Sequence, residues 1–257
     1  MISLIPSTLK TIAMGASCLL FSSVIVPAEP IRILPLGDSI TQGGRRDREE
    51  YTYRLPLFRK LKDAGVDFVF IGSLQKGLQP QATWPESNGM PFDPNHEGHY
   101  GWKTGKVRDH LSEWIPQWQG APDIALIHLG TNDQKSQDFQ KDIIQPLKEI
   151  IATLREKNPQ IIVLVGHLNF NAGPALEIRN LVEQMARELN TKESPVITVH
   201  HYRGWHEKPD EPDSDTFDWA HPNPKGQEKM ATNWFEAMKP YLKIKSASPA
   251  NAASQPG

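Results

Sequence analysis

The sequence predicts an α/β domain: a parallel sheet with helices on both faces. Three observations carry that prediction. Five short apolar runs recur along the chain, amphipathic helical stretches separate them, and the clearest runs are apolar at consecutive rather than alternate positions. Continuous apolar runs are what strands buried on both faces require. Strand and helix alternating at this spacing give a three-layer sandwich around a five-stranded parallel sheet.

Ile31 to Leu36 is short and apolar and stops at Gly37, which makes it the first strand. Tyr53 to Lys62 carries Leu55, Leu57, Phe58 and Leu61 on one helical face, closed by Gly65. Asp67 to Ile71 is the second strand, Ala125 to Leu129 the third, Ile161 to Val165 the fourth and Val196 to Val199 the fifth. Between the later strands, Ile143, Ile144, Leu147, Ile150, Ile151 and Leu154 fall three or four apart, and Pro146 must kink or begin that helix. Ile178, Leu181, Val182, Met185 and Leu189 repeat the pattern. Met230, Trp234, Met238 and Leu242 form the buried stripe of the last helix. Ser73 to Tyr100 breaks the rhythm, being aperiodic and rich in proline and glycine. A stretch that long inside a domain is usually functional.

Composition narrows the function classes. With 38% hydrophobic residues the chain can fill a sizeable core, and 22 prolines with 18 glycines suit long ordered loops. The 28 basic and 30 acidic residues are nearly balanced and form no long run of one sign, which argues against nucleic acid or an anionic membrane as the main partner.

Residues 1–28 read as an export signal: Lys10 is the only charge before Glu29, Thr11 to Val26 is apolar or small, and Val26-Pro27-Ala28 offers a small-x-small cleavage site. The apolar stretch is short for a membrane span, although a retained N-terminal anchor is the alternative. Cys18 sits inside the apolar run rather than after it, which disfavours a lipoprotein. Cleavage would leave one domain over 29–245, a polar tail over 246–257, a formal charge of −3 and no cysteine. Thiol catalysis and thiolate metal ligation would then be excluded. The expected location is secreted or periplasmic, with no stable membrane insertion after cleavage.

Four short blocks carry chemistry, and each alone has a bland reading. Ser39, in Gly37-Asp38-Ser39-Ile40-Thr41, lies just past the first strand, at the sheet edge where parallel sheets bind ligands. Gly-Asp-Ser is also a common turn. Asp218-Trp219-Ala220-His221 spaces a carboxylate three residues from an imidazole, near enough to fix its tautomer, or else it is an N-cap beside a surface histidine. Asn132, in Gly130-Thr131-Asn132-Asp133, could aim an amide donor across the sheet end, or could form an Asx turn. Gly101, at the end of the aperiodic interval, could present an unobstructed backbone N–H.

Together and in this order, the blocks resemble those of the GDSL/SGNH hydrolases over roughly residues 31–243. The resemblance implies a flavodoxin-like five-stranded sheet. It also implies a triad of Ser39, His221 and Asp218, and an oxyanion hole from the N–H groups of Ser39 and Gly101 plus the Asn132 side chain. Gly98 rivals Gly101, because the aperiodic loop offers no register. Leu36 to Thr41 taken with His96 to Trp102 resembles the carbohydrate esterase branch, which includes acetylxylan esterases.

The expected function is a serine esterase that removes O-acyl, chiefly O-acetyl, groups from a polysaccharide or oligosaccharide, with no cofactor and no metal. A lipase, thioesterase or general carboxylesterase is the alternative within enzymes, and a non-catalytic glycan-binding protein the alternative outside them. Asp38, Trp102 and Trp219 neighbour the proposed site residues and are expected to touch substrate. Trp84, Tyr100 and Trp205 lie in loops and either stack on sugar or pack beneath those loops. The interval 73–102 is expected to set specificity.

Other motifs fall short. His96 and His99 are three apart in a glycine-containing loop, not four apart on a helix as in zincins. Gly37 to Gly44 lacks the lysine of a phosphate loop, and no Gly-x-Ser-x-Gly elbow occurs. His200, His201 and His206 cluster locally and are read as flanking the site loop or solvated rather than as metal ligands.

Overall fold

The structure is a computed structural model that describes residues 29–44, 52–79, 86–87 and 89–242. The expected export signal over residues 1–28, Trp84 and the expected tail over 246–257 fall outside these residues.

Strand β1 (Ile31–Gly37) leads into a single-turn helix α1 (Ser39–Gln42), then helix α2 (Arg54–Asp63) and strand β2 (Phe68–Phe70). Two short pairs, β3 (Glu86–Ser87) with β4 (Met90–Pro91) and β5 (Glu97–Gly98) with β1, precede helix α3 (Thr104–Trp114). After them come β6 (Ile124–His128), α4 (Gln145–Lys157), β7 (Ile162–Gly166), α5 (Ala175–Leu189), β8 (Val196–Val199) and α6 (Pro224–Met238).

The sheet runs β2-β1-β6-β7-β8, all parallel, with β5 as a sixth strand. β2 pairs with Ile31–Ile33 and β5 with Leu36–Gly37. The sheet is thus five lanes wide, as the sequence predicts, and its sixth strand shares a lane with β2. Two residues inside an aperiodic stretch carry no periodicity to betray that strand.

Alternate residues of the central strands feed two cores. Leu34, Leu36, Ala125, Ile127, Val163 and Val165 pack with α3, α4 and α5 on one face. Ile33, Ile124, Leu126 and Leu164 pack with α2 and α6 on the other. Pro146 neither begins the helical run nor ends it, because the chain is already helical from Phe139 onward. A π-helical turn over Gln140–Ile144 passes straight into α4 just before the proline, and that irregular turn is where the ladder accommodates a residue with no N–H to give. The sheet therefore presents its carboxyl edge, carrying the ends of β1, β5 and β6, as one contiguous rim.

Candidate active site

Ser39 is the first residue of α1, and both ends of that single turn are held. At the front, the buried Asp38 side chain accepts the Ile40 N–H at 2.9 Å, and its carbonyl accepts those of Thr41 and Gln42. At the back, the buried Arg54 donates from Nε to the Thr41 carbonyl at 2.9 Å, from Nη2 to that of Gln42 at 3.2 Å and from Nη1 to that of Pro94 at 2.8 Å. The C-terminal carbonyls of a helix lack intrahelical partners, and here a fixed guanidinium supplies them. Burial holds the Arg54 pKa down at about 10.

Asp38 is fully buried, which corrects its expected place in the substrate cleft. Its carboxylate is an N-cap beneath the Ser39 turn. Burial pushes its pKa up to about 7, against the opposing hydrogen bond from the Ile40 N–H and with a smaller push from the Asp133 charge.

The structure brings the three candidate triad residues together. His221 Nε2 lies 3.0 Å from Ser39 Oγ, and Nδ1 lies 2.9 and 3.0 Å from the two Asp218 oxygens. Asp218 also accepts the backbone N–H groups of Ala220 and His221 at 3.0 and 2.9 Å. Burial alone would raise the Asp218 pKa, but these N–H groups and the imidazole outweigh it and hold the carboxyl well below the usual range. An ionised carboxylate can only accept, so Nδ1 must carry the proton, which leaves Nε2 as the acceptor facing Ser39. Thr216 Oγ1 pins this Asp-x-x-His turn by reaching the carbonyls of Asp218 and His221 at 2.5 and 2.8 Å.

Asn132 sits in a 3₁₀ turn (Thr131–Asp133) just past β6, anchored through Asp133 to the N–H and hydroxyl of Thr104. Its Nδ2 donates to the Trp102 carbonyl at 2.9 Å, which orients the amide and uses one of its two N–H bonds.

The two candidate glycines now separate. Gly98 donates its N–H to His96 Nδ1 at 3.0 Å, so that donor is spent. Gly98 is there for close approach, since a Cβ would meet the Gln42 nitrogen at 2.5 Å. Gly101 has φ +74° and open space about its Cα, and among the described residues its N–H and that of Ser39 have no hydrogen-bond partner.

Tyr100 stacks near-parallel to the His221 ring, centroids 5.8 Å apart, and donates its N–H to Gln42 Oε1 at 2.7 Å. Gln42 thereby ties the Gly101 loop to the Ser39 turn. Beneath the loop, the fully buried Glu97 accepts from Ser73 N–H and Oγ, Trp118 Nε1 and His99 Nε2 at 2.6–2.9 Å. Arg54, Gln42 and Glu97 are the supports that sequence reasoning misses, and only contacts between distant residues reveal them.

The aromatic expectations divide. Trp219 is 54% exposed, edge-on to Phe170, and borders a cleft of about 540 Å³ whose other walls include Gln134, Glu207, Lys208 and Glu211. Trp102 instead packs beneath the loop, with Lys106 Nζ 3.8 Å from its ring centre and His99 beside it, and Trp205 is buried in the core. None of the described residues of the interval 73–102 lines the Trp219 cleft.

A family profile, that of the GDSL-like Lipase/Acylhydrolase family, matches residues 36–229, a span that holds every one of these groups. The chain belongs to the GDSL-like lipase/acylhydrolase family. A multidomain esterase of Ruminococcus flavefaciens is 26% identical to 89% of the chain, and the alignment spans 31% of that relative's length. A carbohydrate esterase family 3 structure from Talaromyces cellulolyticus superposes with a TM-score of 0.66 at 25% identity, over 85% of this chain and all of that one. A family 3 carbohydrate esterase of Clostridium thermocellum shares the fold at TM-score 0.64 and 21% identity, over 83% and 97% of the two chains. As a GDSL-like acylhydrolase, the chain brings Ser39, His221 and Asp218 together from blocks far apart in sequence. Among the described residues, the group with metal-ligating donor types is His167, Glu183 and His200, not any cluster around Ser39.

Proposed function

We propose that this family member hydrolyses O-acyl esters on carbohydrate, O-acetyl groups above all, through Ser39, His221 and Asp218. One observation carries the reading: the unbroken Ser39–His221–Asp218 relay at 3.0 and 2.9 Å, with Asp218 held as a carboxylate. His221 Nε2 takes the Ser39 proton as Oγ attacks the ester carbonyl. The N–H groups of Ser39 and Gly101 and the free N–H of Asn132 receive the oxyanion. The tetrahedral intermediate expels the sugar hydroxyl with the proton from His221. Water, deprotonated by the same imidazole, then releases the acid and restores Ser39.

Carbohydrate as the alcohol is supported by the exposed Trp219 indole beside its cleft, a flat face of the kind that stacks on a sugar ring. The family 3 resemblance supports the same choice, and so does the expected export signal. Acetate release from acetylated xylan, measured beside hydrolysis of short- and long-chain aryl esters, tests the substrate class. Acetylated glycan and short acyl esters should be preferred, and Trp219→Ala should raise KM on the glycan while sparing a small aryl acetate. A long-chain preference rejects the proposal.

A further inference from the structure

We propose that His167, Glu183 and His200 form a binding site for a divalent transition-metal ion, zinc by its donor set, separate from the ester-cleaving residues. The histidines singled out in the sequence do not cluster as a trio. His201 is buried against Trp234, and His206 pairs with Glu211. His200 turns instead toward His167, a residue 33 positions earlier in the chain.

The sheet makes that meeting. β7 and β8 pair in register up to Gly166 and Val199, so the next residues, His167 and His200, emerge side by side. Their rings stack with centroids 5.1 Å apart. Glu183 reaches them from α5, with Oε1 2.8 Å from His167 Nε2 and 3.8 Å from His200 Nδ1, and the three donor atoms all lie within 4.8 Å of one another. Zinc bonds of about 2.0–2.2 Å in a tetrahedron place neighbouring ligand atoms about 3.4 Å apart. Two of the three separations bracket that value and the third is within 4.8 Å, so the donors need only side-chain rearrangement to close on one ion.

Two further observations point to a ligand. His200 Nδ1 is buried yet has no hydrogen-bond partner, although its ring edge is partly exposed. Thr198 Oγ1 donates to Glu183 Oε1 at 2.9 Å, the kind of outer hydrogen bond that orients a metal-bound carboxylate. Two imidazoles and a carboxylate are a zinc donor set, and glutamate and His200, each 30% exposed, leave room for water at a fourth position. Three arginines oppose the ion: Arg187 lies 3.8 Å from Glu183 Oε2, and Arg179 and Arg203 act on the imidazoles. Affinity below that of a buried structural zinc follows from their charge.

Calorimetric titration of the chelator-treated full chain with zinc chloride tests the site. The expected result is one equivalent of zinc whose affinity falls at least tenfold in Glu183→Gln and in His200→Ala. His200→Ala truncates a partly exposed ring at a strand end and decides the matter by itself if the other variant does not fold. Absence of zinc uptake by the parent, or uptake unchanged in His200→Ala, overturns the proposal.

Discussion

At the scale of single residues, the site depends on two aspartates whose environments drive them in opposite directions. Asp218 collects N–H donors and stays ionised; Asp38 lies in the core with one oxygen lacking a partner. With a folded pKa of about 7 against an unfolded value near 3.8, Asp38 gives a contribution that is fully present below pH 3.8. It is lost as the pH rises through 7, at a cost of up to about 4 kcal/mol. Asp38→Asn keeps the acceptor for Ile40 N–H and removes the ionisation. Its stability relative to the parent should therefore improve steadily from pH 4 to 7 and level off above, as read from denaturant melts across pH. A difference that does not change with pH contradicts this account of Asp38. Ser39, Asp218, His221 and Asn132 were legible in the sequence because each lies in a short block that keeps its spacing in the fold. Asp38 was misread because a sequence shows that a carboxylate adjoins the serine but not which way it points.

Among the elements, a four-residue helix and a glycine loop must be kept in register with each other. α1 is too short to hold itself, since nucleation fixes several residues for very few hydrogen bonds. Arg54 closes its C-terminal end, and Gln42 and Tyr100 couple it to the Gly101 loop. Lysine cannot reproduce three donations from a planar fork, so Arg54→Lys should lower kcat by roughly tenfold or more with a smaller change in KM. Steady-state kinetics on a small aryl acetate would show it, and an unchanged kcat would remove Arg54 from the positioning of Ser39. Glu97 supports the loop from beneath in the same way, with four donors converging on one buried carboxylate. These supports were illegible because their partners lie far away in sequence, Arg54 to Pro94 and Glu97 to Trp118 among them. The main strands and helices were legible because their apolar spacing is local, whereas the π-helical turn that lets the chain pass Pro146 was not.

Taken as a whole, the described residues bury several imidazoles whose protonation folding suppresses. Burial pushes His128 down to about 4 and holds His96 and His201 well below the usual histidine value, and His167 is lowered for the same first reason. Unfolded, these groups take up protons near pH 6.5; folded, His128 does not until about pH 4. Their contribution is therefore intact above 6.5 and is lost as the pH falls, about 3 kcal/mol from His128 alone. Asp38 opposes them over the same range, but one carboxyl is outnumbered. The melting temperature should drop between pH 6.5 and 4, and His128→Asn should flatten part of that drop; a parent as stable at pH 4.5 as at pH 7 contradicts the assignment. Nothing in a linear sequence distinguishes these histidines from solvated ones, since the burial of His128, His167 and His201 follows from β6, β7 and β8 ending side by side and that of His96 from its bridge to Leu74.

That shared strand edge is also what assembles Ser39, His221 and Asp218 from residues 182 positions apart at the widest. The central claim is that Ser39 is the nucleophile. Acetate release by Ser39→Ala, compared with the parent at equal folded concentration, tests it most directly. The account predicts a fall of several orders of magnitude in kcat with the melting temperature nearly unchanged. Turnover at the parent's rate by the folded variant would contradict it.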